Sequence, residues 1–215
     1  MAKRSLCKRL EYRAVQAACQ LIALAAFRVR CRGREFVPAE GGAFLLSNHQ
    51  SLLDPVLIGG ACARRLNFVA RNTLFRFAPL RLLIGSLDAI PIDREGLSIS
   101  GLKETLRRVR DGELVLLFPE GTRTHDGEIA LLKGGFAALA RRARVPLLPV
   151  AIEGAFDAWP RTRRFPRPGK IDIEFGPPLE PETIAGLDES QLIAEIQRRL
   201  RACHAAARIH RQERM

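Results

Sequence analysis

Beyond Gly33 the chain is organised by six short apolar runs, at residues 43–47, 66–70, 89–93, 114–118, 147–152 and 171–175, which read as β-strands. Most intervals between them carry helical patterns, at residues 55–62, 74–84, 98–110, 135–144 and 189–209. Strands and helices that alternate in this way predict an α/β fold, a mostly parallel mixed sheet with helices packed on its faces. At 215 residues, 47% of them apolar, the chain has material for one such core and little for a second domain. It carries no internal repeat and no long linker.

The first 32 residues read differently. Residues 14–27 are uncharged, and as a helix they would span roughly 21 Å, short of the ~30 Å hydrocarbon thickness of a bilayer. Leu6, Leu10, Ala17, Leu21 and Leu24 recur at helical spacing, and Lys3, Arg4, Lys8, Arg9 and Arg13 lie ahead of or among them. A helix lying in an anionic membrane interface has this pattern, and so has a helix packed on a core. The expected organisation is a basic, amphipathic, membrane-associating helix over residues 1–32 and one catalytic domain over 33–215. Arg28, Arg30, Arg32 and Arg34 stand where a secretory signal would carry small residues, so the start of the chain is expected to be retained. Residues 74–92 mix apolar side chains with Arg71, Arg76 and Arg81 and read as a second membrane-facing surface or as a half-buried helix.

Lys and Arg number 35 against 23 Asp and Glu, a formal charge of +12. Such a balance calls for a polyanionic partner: nucleic acid, an anionic membrane surface or phosphorylated substrates. With aromatics at 6%, a single Tyr and no RNA-stacking or zinc-finger signature, nucleic acid is not expected. Cys7, Cys19, Cys31, Cys62 and Cys203 are scattered, with no CxxC pair and no His at ligand spacing, which reads as reduced thiols in a cytoplasmic setting and no metal site.

Two blocks directly follow strands. Asn48-His49-Gln50-Ser51-Leu52-Leu53-Asp54 follows residues 43–47, placing His49 at a strand end and Asp54 where a helix begins. A turn could bring the Asp54 carboxylate to one ring nitrogen of His49, leaving the other to take a proton from a substrate hydroxyl. Asp54 before Pro55 is equally a good helix N-cap, and Ser51 and Asp54 resemble a capping box. No Gly-x-Ser-x-Gly elbow supplies a serine nucleophile. Phe118-Pro119-Glu120-Gly121-Thr122-Arg123 follows the strand at 114–117; Gly121 allows close backbone approach, Arg123 offers a fork for phosphate, and Glu120 can accept from a hydroxyl or hold the arginine. The same residues also make a type I turn with Pro119 second and Gly121 fourth. Arg94 ends the strand at 89–93, and Lys133 precedes the helix at 135–144; with Arg123 they would gather cationic charge on one sheet edge.

Together these blocks, with Ile90-Pro91-Ile92-Asp93-Arg94 second and Val145-Pro146-Leu147-Leu148-Pro149-Val150 fourth, resemble the glycerolipid acyltransferase family that includes 1-acylglycerol-3-phosphate acyltransferases. The resemblance covers most of the chain; Thr124, where a serine is common, departs from the pattern. It implies that His49 is the general base and Asp54 its orienting partner, and that Arg94, Glu120, Gly121, Thr122 and Arg123 bind the acceptor phosphate, with Lys133 beside them on charge. It implies no bound cofactor. The acyl thioester, of coenzyme A or acyl carrier protein, is a co-substrate, and the acceptor is a lysophospholipid such as 1-acyl-glycerol 3-phosphate, another lysolipid or glycerol 3-phosphate. The enzyme would sit peripherally or monotopically on the cytoplasmic face of the cell membrane, and its activity would fall below about pH 6. A basic membrane-binding module without catalysis is the alternative from another class.

Overall fold

Every residue of Ala43–Ser47 and Leu114–Leu117 is buried, as interior strands of a sheet covered on both faces require. A computed structural model of the chain describes residues 6–71, 90–92 and 99–214. The helix expected at 74–84 and the last two residues of the second block, Asp93 and Arg94, lie outside these residues.

In chain order the elements are α1 (Leu6–Phe27), β1 (Arg30–Arg32), a 3-10 turn (Arg34–Phe36), β2 (Ala43–Ser47), α2 (Asp54–Ala61), β3 (Leu66–Arg71), β4 (Ile90–Ile92), α3 (Ile99–Arg110), β5 (Leu114–Leu117), α4 (Gly135–Ala143), β6 (Leu147–Glu153), α5 (Ala155–Ala158), β7 (Asp172–Phe175), α6 (Pro181–Gly186) and α7 (Glu189–Gln212). The seven strands form one sheet in the order β1-β7-β6-β2-β5-β3-β4. All neighbouring pairs are parallel except β6 with β7. The α/β class and the mixed, mostly parallel sheet are therefore as the sequence predicts.

Alternation along the strands divides the core in two. Leu45, Leu116, Leu148 and Val150 face one layer, closed by Tyr12, Ala23 and Phe27 of α1 and Leu57, Ile58 and Ala61 of α2. Phe44, Leu46, Val115, Leu117 and Leu147 face the other, closed by Leu106 and Val109 of α3, Phe136, Leu139 and Ala140 of α4, and Leu192, Ile196 and Leu200 of α7. Helix α7 starts on a capping box: Asp188 accepts from the Gln191 amide at 2.8 Å, and the Gln191 side chain accepts from the Asp188 amide at 2.9 Å.

Helix α1 packs along α2. Gln16 Nε2 donates to the carbonyls of Gly59 and Cys62 and Gln20 Nε2 to that of Gly60, satisfying backbone oxygens at the α2 C-terminus. The Tyr12 hydroxyl accepts from the Leu66 amide. The opposite side of the same helix leaves Leu21, Ile22 and Leu24 exposed. Among the described residues no helix is long and apolar enough to cross a membrane.

Candidate active site

Strands β2, β5 and β6 are parallel neighbours, so their carboxyl ends open on one edge, and each feeds a segment of the site. The segment after β2 is fixed first. Asn48 Nδ2 donates to the Ile152 carbonyl and its Oδ1 accepts from the Ile152 amide, both at 2.9 Å, locking the exit of β2 to β6. His49 then projects beyond the sheet with its ring stacked on Phe118, centroids 3.9 Å apart and planes 19° apart.

Asp54 is fully buried at the start of α2, and its carboxylate folds back over the preceding loop. Its Oδ2 meets His49 Nδ1 at 2.8 Å and accepts from the amides of Gln50 at 2.6 Å and Ser51 at 2.7 Å. The N-cap reading of Asp54 is thus corrected: Leu53 occupies that position without a side-chain cap, and the Asp54 carboxylate serves amides ahead of the helix. An oxygen that accepts two amide protons is an acceptor toward the imidazole too, so the third proton in the cluster belongs on Nδ1. Nε2 then carries a lone pair, and the His49 side chain remains 18% exposed, reachable by a substrate. The nearby hydroxyls are occupied: Ser47 Oγ donates to the Asn48 carbonyl and Ser51 Oγ to that of Trp159.

The second segment follows β5. The Gly121 amide donates to the Phe118 carbonyl at 3.0 Å, closing the turn expected over 118–121. Glu120, only 3% exposed, points inward: Oε1 accepts from the His49 amide at 2.8 Å and Oε2 from the Ala130 amide at 2.9 Å. Burial raises its carboxyl above the ordinary glutamate range, against the pull of those two amides. The sequence assigns Glu120 to a substrate hydroxyl or to Arg123; in the structure both oxygens tie the His49 loop to the 124–130 loop. The His49 carbonyl completes the tie by accepting from the Thr124 amide at 2.7 Å. Thr124 is itself a loop-builder, since its Oγ1 donates to Asp126 Oδ1 and accepts from the Gly127 amide.

Gly121 has φ +71°, and a Cβ there would lie 2.9 Å from Lys133 Nζ. The ammonium group thus rests over the turn, and the Lys133 backbone amide donates to the Pro119 carbonyl at 2.9 Å. Gly121 and Thr122 are exposed and Arg123 is half-buried in this turn, which follows the carboxyl end of β5.

A third set of residues escaped the sequence reading. Gln50 Nε2 donates to the Gly127 carbonyl and to Glu153 Oε2 at the end of β6, and its Oε1 accepts from the Phe156 amide. Glu153 Oε2 also meets His204 Nε2 of α7 at 2.7 Å, and its Oε1 meets Arg211 at 3.2 Å. Burial pushes the Glu153 carboxyl up, but the hydrogen bond and charge of His204, with Gln50 and Arg208, leave it below the usual range. Elsewhere burial pushes the thiols of Cys31, Cys62 and Cys203 up to about 11, 12 and 11, which keeps them unreactive at neutral pH. No cluster of potential metal ligands occurs among the described residues.

Known proteins resemble the chain that carries this histidine and this turn. The family model described as Acyltransferase matches residues 28–153, more than half of the chain and including both blocks. The chain belongs to the acyltransferase family. Among characterised members, a 1-acyl-sn-glycerol-3-phosphate acyltransferase of Bacillus subtilis is 28% identical over 77% of this chain and 81% of its own length. One of Pseudomonas aeruginosa is 31% identical over 83% of this chain and 68% of its own. Against longer acyltransferases, such as the alpha enzyme of Mus musculus, the chain spans 56% of the relative. The crystal structure of the 1-acyl-sn-glycerophosphate acyltransferase PlsC from Thermotoga maritima superimposes with a TM-score of 0.79 over 94% of this chain and 82% of that one, at 26% identity. As a member of this family the protein is an O-acyltransferase.

Proposed function

We propose that the protein transfers a fatty acyl group from a thioester of coenzyme A or acyl carrier protein to the free hydroxyl of 1-acyl-glycerol 3-phosphate, giving phosphatidate. The observation that carries this reading is the His49–Asp54 pair, with Nδ1 held at 2.8 Å while the hydroxyls of Ser47 and Ser51 donate to backbone carbonyls. Relatives named for acyl transfer to this acceptor supply the substrate class.

The acceptor oxygen attacks the thioester carbonyl while His49 Nε2 takes its proton. The tetrahedral oxyanion collapses, the carbon–sulfur bond breaks, and the thiolate recovers a proton from the imidazolium. Asp54 holds the ring in the productive tautomer and balances the charge that appears on it. Arg123 and Lys133, with Arg94 and the backbone of Gly121 and Thr122, bind the acceptor phosphate. Glu120 positions the His49 loop instead of touching the substrate. General-base help accounts for roughly 10²- to 10⁴-fold, and positioning and oxyanion stabilisation supply the remainder. No bound cofactor is required by this chemistry.

The protein works peripherally on the cytoplasmic face of a membrane, where its acceptor resides. The exposed Leu21, Ile22 and Leu24 of α1 and the +12 net charge support this placement.

The test is thiol release by the purified protein from acyl-coenzyme A, with lysophosphatidate, other lysolipids, glycerol 3-phosphate or no acceptor, alongside His49→Ala. Release that requires lysophosphatidate and disappears in the variant is expected. Release without any acceptor would mean a thioesterase, and retained activity in His49→Ala would remove the histidine from the mechanism.

A further inference from the structure

The connection from α5 to β7 is strongly basic. Residues 161–170 carry Arg161, Arg163, Arg164, Arg167 and Lys170, and no acidic residue occurs between Asp157 and Asp172. The connection is built, not loose. The Arg167 amide donates to the Ala158 carbonyl at 2.8 Å, pinching the base of the loop, and the Arg163 amide donates to the Pro160 carbonyl at 3.1 Å. Inside it, Trp159 Nε1 donates to the Arg163 carbonyl at 3.0 Å and Arg163 Nη1 to that of Asp157 at 3.1 Å. This frame holds Phe165 out at the tip, 66% exposed, with the Arg164 guanidinium 5.3 Å from its ring. An ordered loop that spends an aromatic side chain on solvent has a use for it.

Its neighbours indicate the use. On one side the Trp159 carbonyl accepts from Ser51 Oγ, which ties the loop to the block that carries His49. On the other, the Gly169 amide donates to the Ala26 carbonyl and the Ile171 amide to that of Phe27, which ties the loop to the last turn of α1. The loop therefore stands between the active site and the helix whose Leu21, Ile22 and Leu24 are bare.

We propose that residues 159–168 are a second membrane-docking element, which inserts Phe165 into an anionic bilayer surface while Arg164 and Arg167 hold lipid phosphates. The proposal rests on the reading of the enzyme as one that draws its acceptor from a membrane, and it adds where that membrane touches. A lone aromatic ringed by arginines and prolines suits the boundary between acyl chains and headgroups, and the uninterrupted positive charge suits anionic lipid. The apolar residues of α1 beside the loop favour a bilayer over an acidic protein as the occupant.

Trp159 is the only tryptophan of the chain and lies at the base of this loop, so its fluorescence reads the loop and not α1. Vesicles of phosphatidylcholine alone, or with phosphatidylglycerol, are offered to the wild type, to Phe165→Ser and to Arg164→Gln/Arg167→Gln. Brominated acyl chains are expected to quench Trp159 in anionic vesicles. The arginine pair should weaken partition about 30-fold, and Phe165→Ser about tenfold. Wild type that binds such vesicles with Trp159 unquenched, or variants that partition within twofold of the wild type, would overturn the proposal. So would variants with normal vesicle binding that lose turnover only with an acyl carrier protein donor, which would assign the loop to an acidic protein. None of the vesicle readings needs turnover; a wild type that docks through the loop yet transfers no acyl group would count against the proposed reaction and not against the docking.

Discussion

At Asp54 Oδ2 three donors converge, and this dictates what substitutions should do. Asp54→Asn keeps the volume but turns one oxygen into an NH2 group, which either opposes the Gln50 and Ser51 amides or hands His49 a different partner. A folded protein with kcat reduced roughly 10²- to 10⁴-fold is expected, read by steady-state turnover beside circular dichroism. At Glu120 the two oxygens each serve one amide, so Glu120→Gln leaves one buried amide facing an NH2 group. A loss of about 1–3 kcal/mol in urea unfolding is expected, with turnover lowered because the His49 loop is one of the two segments released. Gly121→Ala should weaken acceptor binding more than turnover at saturation, since the φ of +71° resists a side chain at a cost of roughly 1–2 kcal/mol and the new methyl would displace Lys133. A kcat loss with unchanged KM would take Lys133 out of acceptor binding.

At the scale of elements, helix α7 reaches the active-site loop through Glu153. Because its carboxyl is held below the ordinary glutamate range, the folded state binds that proton less readily than the unfolded chain. The stability Glu153 contributes is therefore fully present above about pH 4.3 and lost as pH falls through the depressed value. Glu153→Gln is expected to lower the urea midpoint at pH 7 and to converge on the wild type in acid; a gap that stays constant with pH would contradict the role of its charge. This set was illegible in the sequence because Gln50, Glu153 and His204 lie 103 and 51 positions apart, and only the sheet brings them together. The His49–Asp54 pair was legible because five positions are spanned by a local turn. Strand β1 was missed for a different reason: Arg30-Cys31-Arg32 has no apolar run, pairs only at the sheet edge with β7, and is held there partly by Arg32 on the buried Asp172 at 3.4 Å. The helices Ala155–Ala158 and Pro181–Gly186 are too short to show a periodicity.

For the whole molecule, α1 is both part of the core and a bearer of exposed apolar surface, which is why its sequence pattern fitted either reading. Tyr12 and Phe27 are buried and the Tyr12 hydroxyl serves the Leu66 amide, so deleting residues 1–27 should cost several kcal/mol, each large side chain accounting for about 1.5–3 kcal/mol. Substituting Leu21, Ile22 and Leu24 together by Ser should leave the melting temperature near that of the wild type and weaken vesicle binding. A truncated protein as stable as the full chain would make α1 an anchor only. In the proposed docking, the cationic loop at 159–168 and α1 act together to bring a lipid surface to the edge on which β2, β5 and β6 end.

In the proposed reaction His49 activates the acceptor directly, and no acyl-enzyme forms. The most direct measurement is a rapid-mixing experiment with stoichiometric acyl thioester and no acceptor, following thiol release and the intact mass of the protein. No burst of thiol and no acyl adduct are expected until lysophosphatidate is added. A burst equal to the enzyme concentration, with the protein heavier by one acyl group, would contradict this reaction and require a nucleophile on the chain.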